Sequence, residues 1–292
     1  MTSQPLKWHG GKGYLAQKIV NLMPPHLVYC EPYFGGGAVL FARDPERDWF
    51  IDDAWKLANG DKVPSELRGC SEVANDIDRE LMNFWDVLRD DALFEQLVRK
   101  VEATPFSEEM FNASLLVARH PLSKSPVSRA YCFFIRYRQS RQGLGKDFAT
   151  LSRNRTRRGM NEQASSWLSA IEGLPEAHER LKRVVILNGD ALDAIRQQDD
   201  PRTHFYCDPP YLHETRTATD CYEHEMTEDD HFRLLRALSI IKGTFQLSGY
   251  HSGVYNGFAK RHGWRCVEFD LPNNASGRKT KERKTECLWM NY

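Results

Sequence analysis

The chain has 292 residues, 40 Lys plus Arg against 40 Asp plus Glu, 41% hydrophobic and 27% charged residues. That is an ordinary globular composition, with room for one sizeable α/β domain carrying an insertion or for two small domains; a formal net charge of zero argues by itself for no nucleic-acid partner. No apolar run approaches the ~20 residues of a membrane span and the first residues lack a signal-peptide core; the cysteines at 30, 70, 132, 207, 221, 266 and 287 include no C-x-x-C, which argues against a zinc site and fits reduced thiols in a cytoplasm.

Lys7-Trp8-His9-Gly10-Gly11-Lys12-Gly13 precedes a helical pattern through Leu15, Ile19 and Leu22. The paired glycines let backbone approach a ligand closely, but the spacing is not that of a Walker A loop. Trp8 is a candidate to pack on an adenine or methionyl group and Lys12 to meet a carboxylate; the alternative is a loop packed on the core. Leu27 to Cys30 predicts the first strand, which runs into Glu31-Pro32-Tyr33-Phe34-Gly35-Gly36-Gly37 and a helix from Ala38. A strand, a glycine turn and a helix let a cofactor lie against bare backbone. The pattern is not G-x-G-x-x-G, and Glu31 would repel a pyrophosphate, so a cationic or zwitterionic ligand suits it better. Residues 43–69 are polar and turn-rich and predict an insertion with one short helix. Glu72 to Asn75 predicts the second strand, ending at Asp76-Ile77-Asp78. Asp76 is placed to accept two ribose hydroxyls; Asp78 is placed to cap the next helix.

From residue 81 to 181 the pattern is helical, with no strand alternation. An apolar stripe from Ala130 to Ile135 turns into Arg136-Tyr137-Arg138-Gln139-Ser140-Arg141-Gln142-Gly143. Between Lys124 and Asn161 there are ten Lys or Arg and one acid, Asp147. Clustered base on a neutral chain points to a polyanion-facing side, against the alternative of a solvated charged helix face. Arg136, Arg138, Gln139, Arg141 and Lys146 are the candidates to read base edges or hold phosphates. Arg153, Arg155, Arg157 and Arg158 are expected on a loop crossing a phosphate backbone. A second basic cluster, 278–284, lies near the C-terminus.

Val184 to Leu187 resumes the sheet before Asn188-Gly189-Asp190-Ala191, where Asp190 is read as a cofactor contact ahead of its alternative, a helix cap. Thr203 to Cys207 is a buried-strand pattern halted by Asp208-Pro209-Pro210-Tyr211, since proline cannot continue the ladder. This presents Asp208 and Tyr211 at the carboxyl end of a strand, where open α/β sheets bind ligands. The stretch suits one chemistry. The exocyclic amine of adenine is a poor nucleophile because its lone pair is delocalised into the ring. Asp208 and the Pro209 carbonyl can each accept one of its hydrogens, freeing the lone pair for attack on a methyl sulfonium, and the Tyr211 ring can hold a base turned out of its stack. A plain Pro-rich turn is the alternative. Phe232 to Ile241 predicts a helix, Phe245 to Tyr250 a strand, and Trp264 to Leu271 with Glu286 to Met290 a closing hairpin.

Taken together, K-W-x-G-G-K at Lys7 to Lys12, E-P-x-x-G-G-G at Glu31 to Gly37, N-D-I at Asn75 to Ile77, D-P-P-Y at Asp208 to Tyr211 and E-x-L-W-x-N-Y at Glu286 to Tyr292 resemble the Dam-like adenine-specific DNA methyltransferases over essentially the whole chain. The bacteriophage and prophage members are the most similar, with E-T-R at 214–216 and Tyr-x-His-Glu-Met-Thr at 222–227. The resemblance implies a Rossmann-like, seven-stranded mixed sheet in residues 1–80 and 182–292, with residues 81–181 an inserted helical target-recognition domain. It implies S-adenosylmethionine as methyl donor, adenine in double-stranded DNA as acceptor, and neither metal nor membrane; a bacterial cytoplasm and a monomer are favoured. The implied catalytic residues are Asp208, Pro209, Pro210 and Tyr211. The implied cofactor contacts are Trp8, Lys12, Glu31, Pro32, Tyr33, Gly35, Gly37, Asp76, Ile77, Asp190, Ala191 and Asp208. Tyr33 departs from the family's usual Phe, and the 43–69 insertion is longer than expected. Transfer to RNA or to a protein glutamine, and a non-catalytic DNA-binding regulator, are the alternative readings.

Overall fold

The computed structural model describes residues 4–120, 124–149, 155–215, 224–272 and 283–292. In chain order the elements are α1 (Ala16–Asn21), β1 (Val28–Glu31), α2 (Ala38–Ala42), α3 (Asp53–Asn59), β2 (Ser71–Asp76), α4 (Arg79–Arg89), α5 (Asp91–Glu102), α6 (Glu108–Ala118), α7 (Pro126–Arg138), β3 (Thr156–Arg157), β4 (Met160–Asn161), α8 (Glu162–Glu172), α9 (Leu174–Leu181), β5 (Val184–Asn188), α10 (Ala191–Gln198), β6 (Thr203–Cys207), α11 (Glu228–Leu238), β7 (Thr244–Gly249), α12 (Gly253–His262), β8 (Arg265–Pro272) and β9 (Arg283–Met290). The main sheet has seven strands in the order β5-β2-β1-β6-β7-β9-β8. β2, β1, β6 and β7 run parallel to one another, and the closing hairpin β8–β9 enters antiparallel to β7. This is the Rossmann-like mixed sheet expected from the sequence.

The chain divides into two compact units. One comprises Met23–Tyr33, Glu46–Asn75 and Gly189–Tyr292. β6 is buried at every position, because a strand between two parallel neighbours needs apolar side chains on both faces; Cys30 and Cys207 are buried with it. Two caps position its helices. Thr227 and Asp230 form a reciprocal capping box that starts α11 at Glu228, four residues earlier than the apolar pattern indicates. Asp190 caps α10. In the 43–69 stretch Trp49 and Ile51 are buried, with the Trp49 ring 5.3 Å from His26; α3 carries no buried residue.

The other unit comprises Met1–Leu22, Phe34–Pro45 and Asp76–Asn188. Its core centres on α4, where Leu81, Met82, Phe84, Trp85, Val87 and Leu88 are all buried. Trp85 packs against Phe34 at 5.2 Å, Phe84 at 5.0 Å and Phe41 at 5.8 Å, and its indole N–H donates to the Gly35 carbonyl at 3.2 Å. Arg129 of α7 makes a two-pronged ion pair with Glu80 of α4, at 2.6 and 3.0 Å. The helical segment therefore shares a core with the glycine turn and α2, and the boundary drawn at residue 81 from the sequence runs through that core. The β3–β4 hairpin is an element the sequence pattern did not predict. It closes through Arg158 and Gly159, both at positive φ (56° and 74°), the backbone of a tight two-residue turn.

Candidate active site

Parallel neighbours finish at the same edge of a sheet, so the residues following β1 and β6 gather where open α/β sheets bind ligands. Glu31 ends β1 only 2% exposed, and its carboxylate accepts from the Tyr29 hydroxyl at 2.7 Å. Asn75, 1% exposed, donates from Nδ2 to the carbonyls of Pro32 and Gly189, both at 3.0 Å, and so ties together the turns after β1 and β5. Tyr33 follows; burial first, then the neighbouring Cys207, Tyr255, Asp190 and Asp230, push its phenol well above the ordinary range. Asp190 is exposed and accepts from the Leu192 amide at 2.7 Å, the capping alternative of the sequence reading, with Ala191 buried at the start of α10.

After β6, Asp208 and Pro210 are half-buried and Pro209 is buried. Tyr211 is fixed at two points. Its hydroxyl donates to Glu286 Oε1 at 2.5 Å, and Tyr250 meets its ring edge-on at 4.9 Å and 82°. Burial first, then the charges of Asp208 and Glu286, push its phenol well above the ordinary tyrosine range. It is a hydrogen-bond donor across the working pH range.

The unit that holds the glycine turn presents a second group. Asp76 Oδ2 accepts from the Gly35 amide at 2.9 Å and Oδ1 from the Asp78 amide at 3.0 Å, while Asp78 caps α4. Ile77 is 52% exposed beside it. Gly37 adopts φ 68° at the start of α2, a conformation suited to glycine. The Trp8 indole lies across the turn: a Cβ on Gly35 would stand 2.7 Å from Trp8 Nε1. On the α7 side Trp8 meets Tyr137 at 4.8 Å and Phe133 at 6.3 Å. Lys12 is 4% exposed, with Nζ donating to the Gly10 carbonyl at 2.9 Å.

The residues expected to face DNA separate into two classes. Gln139 is fully buried; its carboxamide accepts from the Ser107 amide and donates to the Pro105 carbonyl, each at 3.1 Å. Arg138 donates to the Ser166 carbonyl at 3.1 Å, and burial pulls its pKa down to about 10. At the C-terminus of α7 both side chains point inward, Gln139 holding the loop before α6 and Arg138 holding α8, a placement opposite to the base-reading expectation. Arg136 is half-buried, its guanidinium 5.0 Å from the Tyr137 ring centre and donating to the Tyr137 hydroxyl. Arg141 and Lys146 are exposed. They sit on a closed loop held by bonds from the Arg141 amide to the Asp147 carbonyl (2.8 Å), from Ala149 to Gln139 (2.9 Å) and from the Gly145 amide to Ser140 Oγ (3.0 Å). Arg155, Arg157 and Arg158 are exposed on the β3–β4 hairpin, Arg158 paired with Glu172 at 2.9 and 3.0 Å. Arg153 and most of the second basic cluster, 278–282, lie outside the described residues.

Asn75, Tyr250 and Glu286 are the residues whose roles sequence reasoning missed. Glu286 alone left a trace: an acid opening Glu286-Cys287-Leu288-Trp289-Met290, every residue of which is buried. Among the described residues no group of His, Cys, Asp and Glu is arranged to hold a metal ion, and no helix is long and apolar enough to cross a membrane.

Residues 62–260 match the family described as D12 class N6 adenine-specific DNA methyltransferase. The chain is 25% identical to the type II methyltransferase M.MjaIII of Methanocaldococcus jannaschii over 98% of both proteins. It is 26% identical to the type II methyltransferase M1.LlaDCHI of Lactococcus lactis subsp. cremoris over 98% of this chain and 94% of that one. A solved putative RNA methyltransferase from Pyrococcus horikoshii aligns at a TM-score of 0.32 and 11% identity over 95% of this chain and 80% of its own. Methyltransferases of this family take the methyl group from S-adenosylmethionine. Within the unit that holds the glycine turn, the chemistry of the groups present (the Asp76 carboxylate, the Lys12 ammonium and glycine backbone) fits the ribose hydroxyls and the carboxylate of such a ligand. The chain belongs to the D12 class of N6 adenine-specific DNA methyltransferases.

Proposed function

We propose that the protein is a site-specific enzyme that methylates the exocyclic amine of an adenine turned out of double-stranded DNA. Bound S-adenosylmethionine supplies an electrophilic methyl group on a positively charged sulfur. Asp208 and the Pro209 carbonyl accept hydrogen bonds from the two N–H groups of the amine, which favours the tetrahedral nitrogen and frees its lone pair; S-adenosylhomocysteine would leave as the new N–C bond forms, and the surplus amine proton would pass through Asp208 to water. The acceptors are in place before the reaction, so no strong base is needed. Pro210 holds the loop out of the sheet, and Tyr211 offers the face on which the extruded base stacks. Asp76 accepts the ribose hydroxyls with Ile77 beside it, and Lys12 meets the donor's carboxylate. Trp8, Glu31, Pro32, Tyr33, Gly35 and Gly37 line the methionyl part, with Asp190 and Ala191 toward the adenine.

Segment 81–181 is assigned to target recognition. Its exposed cations, Arg141 and Lys146 on the α7 loop and Arg155, Arg157 and Arg158 on the hairpin, are assigned to phosphate contacts. The two relatives are named as type II methyltransferases, which favours a DNA-modification enzyme. The observation that carries the reading is the fully buried β6 delivering Asp208 and a doubly held Tyr211 to the carboxyl edge of the sheet. Incubating the protein with labelled S-adenosylmethionine and duplex, single-stranded or RNA substrates tests it. N6-methyladenine should form in duplex DNA; donor binding without methyladenine in any DNA refutes it.

A further inference from the structure

The loop that carries Asp208 and Tyr211 is held by a residue from the last strand of the chain. The β7–β9 ladder places Gly249 opposite Cys287, so Tyr250 and Glu286 are the next facing positions along it. Both reach the same side chain: Glu286 takes the Tyr211 hydroxyl at 2.5 Å and Tyr250 abuts the ring at 4.9 Å. Glu286 is 3% exposed and followed by four residues each 1% exposed or less. A carboxylate in such a strand is costly unless hydrogen bonds compensate it. An apolar residue would serve packing better, so the acid is explained by what it holds. A phenol anchored at its far end by a carboxylate, with a second ring against its edge, has its ring plane fixed before any base arrives.

We propose that Glu286 is a positioning residue for methyl transfer: its hydrogen bond sets the plane of the Tyr211 ring, and with it the seat of the extruded adenine, Tyr250 acting as the second stop. The proposal rests on the reading of Tyr211 as the stacking face. Any stability that Glu286 lends to β9 is a separate matter, and a merely structural role would act with or without the Tyr211 hydroxyl. That difference makes the two distinguishable.

The test is a double-mutant cycle on the full chain, after the modified site has been mapped by sequencing: kcat/KM is measured on the adenine-containing duplex with S-adenosylmethionine, and base seating separately on a duplex with 2-aminopurine at the target position and S-adenosylhomocysteine in the donor site. Glu286→Ala and Tyr211→Phe should each lower kcat/KM roughly tenfold, the factor for one hydrogen bond to a charged group. Each should shift the bound 2-aminopurine emission in the same sense. The double variant should be no worse than the worse single variant, and Glu286→Gln, which keeps an acceptor, should retain most of the activity. If Glu286→Ala costs the same factor in the Tyr211→Phe background as in the wild type, the proposal is overturned. Should Glu286→Ala not fold, Tyr211→Phe decides: wild-type kcat/KM and emission in that variant overturn the proposal, and a roughly tenfold loss supports it. Tyr211→Ala with wild-type emission would remove the stacking reading itself, a result separate from the Glu286 arm.

Discussion

Asp76 carries two duties, and Asp76→Asn separates them. In the structure one carboxylate oxygen receives the Gly35 amide at 2.9 Å and the other the Asp78 amide at 3.0 Å. An asparagine keeps one acceptor oxygen and turns an NH2 toward the other amide, so one charge-assisted bond is lost and two donors face each other. A net hydrogen bond to a charged group contributes about 1.5–3 kcal/mol, and Asp76 is half-buried, so solvent screening lowers the expected cost to about 1–2 kcal/mol. At roughly 2–4 °C per kcal/mol for a chain approaching this size, the apo protein should melt roughly 2–8 °C lower. The amide also loses the charged acceptor proposed for the ribose hydroxyls, so calorimetric titration should show S-adenosylmethionine binding weakened by about tenfold. A Tm within about 1 °C of wild type together with an unchanged Kd would refute both the tether and the ribose assignment.

Arg129→Ala removes the partner of Glu80 from an ion pair whose side chains are 10% and 25% exposed, and should lower unfolding free energy by about 2–4 kcal/mol in denaturant titration. Replacing Arg141 and Lys146 together by Ala should weaken duplex binding across all sequences and lower the magnitude of the salt slope by about 2; an unchanged slope moves the DNA face elsewhere. For His251, hydrogen bonding to Asn256 is the largest influence, burial opposes it, and Glu268 adds to it, so the imidazole pKa lies above 6.5. The sign follows: a raised native pKa gives a contribution fully present below pH 6.5 and lost as pH rises through the raised midpoint. NMR titration should find that raised midpoint and Asn256→Ala should lower it, with a wild-type midpoint at or below 6.5 contradicting the contact.

The sheet was legible because its strands are short apolar runs that end in residues unable to continue them, as at Cys207-Asp208-Pro209. Asp78 as a cap was legible for the same local reason: a short acceptor side chain one residue before an amphipathic run. Direction was not legible. Gln139 and Arg138 sit among residues that also reach solvent, and at a helix end a shift of one position turns a side chain from surface to interior. The hairpin at 156–161 was hidden because its turn places Arg158, rather than Asn or Gly, at positive φ. For Trp8 the sequence offered a ligand contact or a ring packed on the core, and its packing on Gly35 and α7 depends on where α7 folds back, which no local pattern encodes. Glu286 shows the same limit, since its partner Tyr211 is 75 residues away.

The central claim is tested most directly by single-turnover methyl transfer from labelled S-adenosylmethionine to a duplex carrying the mapped target, comparing wild type with Asp208→Ala. The loss of one preorganised acceptor predicts that N6-methyladenine formation falls by at least roughly a hundredfold while the melting temperature stays at the wild-type value. Transfer within about threefold of wild type in a folded Asp208→Ala protein would contradict the account.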